Sequence, residues 1–264
     1  MEKLRLSHTK ISTFQHCRQQ YVWTYVEHLS PKEKAIPLQI GDIVHQLLLK
    51  LIINELTPGD LEHLDELVSK LYPENSEEVS LDIAIQAGQL IDGYLRKFED
   101  DPLTFIPGET TLETDIGCCI LTGKVDAWAR PQDQRLWRVE HKTTGKMDSS
   151  YLNGLKGGLQ GAIYDFLTGK LFDEPLTGTI YNLLVKTKIP DYHRVYTKCN
   201  KFAIQRMLKT VEGVVRDIER GDFYPSSLCF GYNRECDYKL LCEYDSPSTR
   251  EAFYQKRKEI KNEN

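Results

Sequence analysis

Residues Leu121–Gly145 read LTGKVDAWARPQDQRLWRVEHKTTG. Val125, Ala127 and Ala129 alternate through a run that stops at Arg130-Pro131. After the polar Gln132-Asp133-Gln134, a second run follows from Leu136 to Lys142. The spacing predicts two strands joined by a short hairpin loop. Side chains alternate across a strand, so Glu140 and Lys142 share a face, about 7 Å apart along the chain. With Asp126 facing them from the neighbouring strand, two carboxylates and one ammonium converge. Such a constellation can hold a divalent cation and orient a water, as phosphodiester hydrolysis requires.

The flanking sequence is helical on both sides. Leu6–His28 opens with Ser7 and Ser12 as candidate caps and carries Phe14, Cys17, Tyr21, Trp23 and Tyr25. Gln39–Leu56 places Ile40, Val44, Leu47, Leu48, Leu51 and Ile52 at helical spacing, with His45 among them, until Thr57-Pro58-Gly59-Asp60 ends it. Two more helical patterns cover Leu61–Leu71 and Leu81–Phe98. Strand-like sequence begins near Asp101-Pro102 and includes Thr110–Leu121. Past the hairpin, a helix is expected over Leu159–Thr168, a strand pair over Thr177–Lys186 and Tyr192–Thr197, and a helix over Lys201–Arg220. The cysteine-rich Cys229–Cys242 and a charged terminal helix complete the chain. Helices, an antiparallel sheet and helices again predict a mixed α/β or α+β core. Internal repeats and low-complexity segments are absent from the sequence.

A chain of 264 residues can bury a substantial core, and 40% hydrophobic with 28% charged residues is the balance of a globular protein rather than a disordered one. No run approaches the roughly 20 apolar residues of a membrane span, and MEKLRLSHTK lacks the apolar core of a signal peptide, so a cytoplasmic protein without a membrane partner is expected. Seven cysteines in that compartment suit thiols or metal ligands better than disulfides. The net charge of −5 argues against a non-specific nucleic-acid coat. It leaves room for an enzyme whose acidic site is neutralised by a metal. One segment is basic: Lys186, Lys188, Arg194, Lys198, Lys201, Arg206 and Lys209, with Tyr192, His193 and Tyr196 interleaved. It reads either as a groove for a nucleic-acid strand or as a solvated hairpin and helix face. No Gly-x4-Gly-Lys-[Ser/Thr] motif occurs, so the chain carries no recognisable ATP-driven motor.

The hairpin resembles the core of the PD-(D/E)XK nuclease superfamily, with Gly123-Lys124-Val125-Asp126 as the first element and Glu140-His141-Lys142 as the second. It is similar in particular to the RecB-like branch, which includes the AddB nuclease domain and exonucleases associated with CRISPR adaptation. Gly41-x-x-x-His45 resembles that branch's helix-borne histidine ligand, and Gln160-x-x-x-Tyr164 its helical Gln-x-x-x-Tyr motif. Glu113 resembles a glutamate that precedes the catalytic aspartate. Cys17, Cys229, Cys236 and Cys242 resemble the quartet of its iron–sulfur members, one cysteine near the N-terminus and three near the C-terminus. The spacing departs from the commonest form, since six residues, not two, separate Cys229 from Cys236.

The resemblance implies a restriction-endonuclease-like fold: a central mixed sheet flanked by helices, with N- and C-terminal segments joined by a metal cluster. It implies one domain over 1–264, helical in 1–100, with the core sheet in 101–200 and the cysteine-rich segment in 201–264. Mg²⁺ or Mn²⁺ would be held by His45, Asp126, Glu140 and the His141 carbonyl. Lys142 would assist attack by water, and Gln160 and Tyr164 would join the catalytic set. The four cysteines would hold a 4Fe–4S cluster or, alternatively, structural zinc. The implied activity is a deoxyribonuclease, an exonuclease on single-stranded DNA or DNA ends, leaving 5′-phosphate and 3′-hydroxyl, with a helicase or recombination partner. A non-catalytic DNA-binding or assembly subunit and a zinc-stapled RNA-processing enzyme are the competing readings. Cys118, Cys119 and Cys199 are left over, the first two expected to face opposite sides of a strand.

Overall fold

The computed structural model describes residues 3–33, 36–63, 66–67, 81–106, 110–169, 176–227, 229–231 and 234–257. In chain order its elements are β1 (Arg5–Ser7), α1 (His8–His16), α2 (Arg18–Tyr21), β2 (Leu29–Pro31), α3 (Ile36–Ile52), α4 (Leu81–Lys97), β3 (Thr104–Ile106), β4 (Thr110–Asp115), β5 (Ile120–Val125), β6 (Ala127–Arg130) and β7 (Trp137–Thr144). There follow α5 (Ser149–Gly157), α6 (Leu159–Thr168), β8 (Thr179–Val185), β9 (Asp191–Thr197), α7 (Lys201–Glu219), β10 (Phe230–Gly231), β11 (Arg234–Glu235), α8 (Lys239–Glu243), α9 (Pro247–Phe253) and β12 (Tyr254–Lys256). The expected helix over Leu61–Leu71 lies partly outside the described residues; Pro58–His63 forms a 3-10 turn. Two compact units result, one of residues 1–34, 113–123 and 205–264, the other of 35–112 and 124–204. Among the described residues no helix is long and apolar enough to cross a membrane.

The second unit is built on a five-stranded sheet of order β3-β6-β7-β8-β9. The middle of the sheet is not wholly antiparallel: β7 and β8 run parallel over Arg138↔Thr179 to Thr144↔Val185, while the other pairings are antiparallel. A parallel pair cannot be closed by a tight turn, and α5 and α6 supply the crossover. All seven residues of β8 are buried, in keeping with a strand covered on both faces. Against one end of this sheet α3 and α4 pack a single apolar cluster in which Ile40, Val44, Leu47 and Leu48 meet Ala84, Ala87, Ile91 and Tyr94, with Leu184 and Tyr192. Gly41 permits the approach of α3 to β7, since a Cβ there would lie 3.2 Å from Thr143 Oγ1.

The first unit joins early and late segments of the chain. Ser7 caps α1 by accepting the Lys10 N–H, and β1 pairs in parallel with β5. The helix α2 continues as a π-helical turn over Val22–Val26. Antiparallel pairing of β12 with β2 matches Tyr254↔Pro31 through Lys256↔Leu29. Above it Trp23, Tyr238 and Tyr254 form a stack, with successive ring centroids 5.7 Å apart. Buried Met207, Val211, Val214 and Val215 form the apolar stripe of α7.

Cys118 and Cys119 do not lie within a strand. They sit in the turn between β4 and β5, where Gly117 has φ +92 and the Ile116 N–H reaches the Cys119 carbonyl. Of the expected charged terminal helix, Pro247–Phe253 is helical and Tyr254–Lys256 forms β12, while residues 258–264 lie outside the described residues.

Gly178 sits where β8 begins beside β9, and a Cβ there would fall 2.1 Å from the Thr197 carbonyl oxygen, a backbone atom fixed by the sheet. Gly178→Ala is expected to cost about 1–3 kcal/mol through overpacking. Chemical denaturation should register it as a lower midpoint with an unchanged slope.

Candidate active site

Strand β7 carries Arg138, Glu140 and Lys142 on one face and Val139, His141 and Thr143 on the other. Pairing with β6 runs from Ala129↔Trp137 to Ala127↔Val139 and goes no further. Asp126 precedes β6 rather than belonging to it. Its carboxylate accepts the backbone N–H of His141 at 2.9 Å, where the ladder would otherwise have continued. Facing it, His45 Nδ1 lies 3.6 Å from Asp126 Oδ2. Gly41 and His45 are four residues apart on α3, so the close approach at Gly41 brings the imidazole to the same strand.

Glu140 is 4% exposed. Its Oε1 accepts from Lys142 Nζ at 2.6 Å and from Gln160 Nε2 at 2.8 Å, and its Oε2 from Arg138 Nη1 at 2.9 Å. Gln160 therefore enters the site from α6. Tyr164, one turn further on, is buried: its ring covers the Arg138 guanidinium at 4.4 Å, and its hydroxyl accepts the Lys124 N–H. His141 turns its ring away from Glu140, toward Asn182 Nδ2 at 3.4 Å and the edge of Tyr94. Asn182 is held in turn by Arg194, which is paired with Asp101.

The electrostatics tie these groups together. Burial alone would lower the His45 pKa, yet the contact with Asp126 and the charge of Glu140 raise it on balance. Asp126 is held well below the usual carboxylate range because His45 and the His141 N–H outweigh its burial. Lys142 resists desolvation and is raised, chiefly by Glu140 and then by Asp126. Burial pushes His141 down to about 4, which keeps its ring neutral. Asp126, Glu140, Lys142 and His45 thus act on one another as one site. Among the described residues, no three His, Cys, Asp or Glu side chains are arranged so as to hold a metal ion.

Elsewhere in the sequence-derived set, Glu113 and Asp115 pair with Arg5 and Lys3. In the basic segment Arg194 is committed to Asp101, and Lys186 donates to the Pro37 carbonyl. Lys188, Lys198 and Lys201 are exposed, as are Tyr196 and Phe202. None of the seven cysteines forms a disulfide. Cys17 Sγ accepts backbone N–H groups from Gln20 and Ser226, both at 3.4 Å, and Cys236 Sγ accepts from Tyr238 at 3.5 Å. The Cys236 N–H donates to the Cys229 carbonyl. Burial raises the Cys242 pKa, and the charges of Cys17, Cys229 and Cys236 raise it further, so the four thiols are electrostatic neighbours.

A strand pair that opens to admit an aspartate, followed by Glu-x-Lys on the longer strand, defines a class of hydrolytic nuclease core. The family model of the PD-(D/E)XK nuclease superfamily matches residues 5–243, and the chain belongs to that superfamily. No curated protein sequence matches it. Among solved structures, a candidate exonuclease from Eubacterium rectale is similar with a TM-score of 0.56 at 14% identity, covering 92% of this chain and 88% of that one. That likeness supports the restriction-endonuclease-like fold. The structure of SSO0001 gives a TM-score of 0.36 at 17% identity over 77% of this chain and 95% of that one. The protein VC1899 from Vibrio cholerae gives 0.23 at 10%, over 77% and 59%.

The raised His45 pKa fixes a sign. Stability contributed by its contact with Asp126 is fully present below the unfolded value of about 6.5 and is lost as pH rises through the higher folded value. In chelator, the melting temperature should therefore decline above about pH 6.5 more steeply than that of His45→Asn. Parallel curves for the two proteins would contradict the assignment.

Proposed function

We propose that this protein is a metal-dependent deoxyribonuclease of the RecB-like branch, acting as an exonuclease on single-stranded DNA or DNA ends. The observation that carries the reading is the convergence of Asp126, Glu140, Lys142 and His45 where β6 parts from β7. A carboxylate with a depressed pKa beside an imidazole is a donor pair suited to Mg²⁺ or Mn²⁺. Glu140 Oε1 would be the third donor once Lys142 and Gln160 yield it, and the His141 carbonyl a fourth. The bound ion would acidify a water and offset charge growing on the scissile phosphate.

The protein's own groups supply the rest. Lys142, partly exposed, is placed to hold the attacking water or a phosphate oxygen as a point charge. Gln160 is placed to orient either Glu140 or the substrate, and Tyr164 backs the site through Arg138. Exposed Lys188, Lys198 and Lys201, with Tyr196 and Phe202, suit a single strand, charges to phosphates and rings to bases. Hydrolysis would leave 5′-phosphate and 3′-hydroxyl ends, as the resemblance to the RecB-like branch implies. The name of the similar Eubacterium rectale protein favours exonuclease action over internal cutting. A helicase or recombination partner would supply single strands.

Cys17, Cys229, Cys236 and Cys242 are read as ligands of a 4Fe–4S cluster, with zinc as the alternative occupant. The N–H groups directed at Cys17 and Cys236 support ligand sulfurs, because such bonds stabilise thiolate charge.

End-labelled single-stranded DNA should be degraded with Mg²⁺ or Mn²⁺ and spared in chelator. Lys142→Ala should lose about 100-fold or more in kcat. Full activity in that variant would remove this site from the chemistry, and binding without cutting would leave a non-catalytic DNA-binding subunit. Protein purified without oxygen should be brown and carry iron and sulfide, both lost in Cys236→Ser; a colourless zinc protein would overturn the cluster assignment.

A further inference from the structure

Arg138 is fully buried, yet neither the superfamily motif nor the proposed chemistry uses it. Its guanidinium is pinned on three sides. Nη1 reaches Glu140 Oε2 at 2.9 Å, Nη2 reaches Thr179 Oγ1 at 2.6 Å, and the Tyr164 ring lies 4.4 Å away. A planar guanidinium held by these bonds, by a further hydrogen bond to the Tyr181 hydroxyl and by a ring face has few ways to move. Lys142 differs: its side chain is 28% exposed, and its ammonium donates to Glu140 Oε1. A flexible stem that already reaches solvent can swing away.

The two cations therefore divide the two oxygens of one buried carboxylate. If Lys142 were the sole counter-ion, its departure would strand an unpaired buried charge, which is strongly unfavourable. With Arg138 in place, Glu140 remains neutralised and hydrogen-bonded when Lys142 leaves. We propose that Arg138 is the fixed counter-ion and positioning residue of Glu140, leaving only Oε1 to exchange partners and so freeing Lys142 for water or phosphate. This rests on the nuclease reading of the same site. It gives Thr179 and Tyr164 a definite task, which is to hold Arg138.

The test uses the full chain, with Arg138→Lys and Thr179→Val beside the parent protein. Arg138→Lys keeps a charge but loses the fork, and Thr179→Val removes one anchor of the fork without stranding a charge. The readouts are kcat and KM on single-stranded DNA, Mn²⁺ affinity by calorimetry, thermal unfolding, and competitive amine labelling of Lys142 with and without Mn²⁺. Loss of one hydrogen bond to a charged group should lower kcat about tenfold or more. KM and Mn²⁺ affinity should be held or, for Mn²⁺, improved. Lys142 labelling should rise on adding Mn²⁺ to the parent protein and rise less in the variants. Unchanged kcat in either folded variant overturns the proposal, as does joint collapse of Mn²⁺ affinity, KM and melting temperature. Labelling of the parent Lys142 that ignores Mn²⁺ also overturns it, whether or not the variants fold. A parent protein that cuts no DNA fails the nuclease reading instead, and the labelling still decides the role of Arg138.

Discussion

A carboxylate buried in the middle of a sheet has to be met by charge and hydrogen bonds, and Glu140 imposes that requirement on everything around it. Two of its partners, Arg138 and Lys142, come from its own strand two residues either side, where alternation puts all three on one face. The third, Gln160, comes from α6, which exists because β7 and β8 are parallel and need a crossover. The same parallel register sets Thr179 opposite Arg138, so the strand that necessitates the crossover also anchors the guanidinium. Charge balance and topology at this point are one constraint.

The parting of β6 from β7 is the second decision. Pairing ends at Ala127↔Val139, and the next free backbone donor, the His141 N–H, is taken by Asp126. A buried donor needs an acceptor, and a carboxylate supplies one while keeping an oxygen for other partners. His45 meets that carboxylate from α3, and Gly41 lets the helix come near enough. One interrupted ladder thus orients an acid, and one missing side chain admits a base.

Much of this was legible in the sequence, for identifiable reasons. Helices α6 and α7 fell where the apolar period placed them, and β8 and β9 within a residue or two, because long periodic segments bounded by Gly, Pro or Asp leave little choice. Asp126, Glu140 and Lys142 stood out as charges set among apolar strand residues. Arg138 did not, since alternation alone reads an arginine in a strand as solvent-facing; only the register with Thr179 and the lid of Tyr164 show it buried. Tyr164 is ambiguous in the same way, because a tyrosine on a mostly buried helix can face a site or a core. The parallel direction of β7 and β8 depends on a crossover that no local pattern encodes. Cys118 and Cys119 fall inside the strand-like sequence Thr110–Leu121, yet the positive φ of Gly117 turns the chain there.

In the unit that gathers the early and late segments, β2 and β12 pair, and Trp23, Tyr238 and Tyr254 stack beside them. Cys17, Cys229, Cys236 and Cys242 belong to this same unit, which is held by backbone pairing and apolar contact. Burial raises the pKa of Cys236 and Cys242, and the neighbouring thiols raise it further, since each thiolate would add to the repulsion. A cation bound among them would reverse that sign, drawing out the protons and turning mutual repulsion into shared attraction. The contribution of such a group would then go to the stability of this unit, whereas the hydrolytic chemistry depends on how Arg138 and Lys142 divide the two oxygens of Glu140.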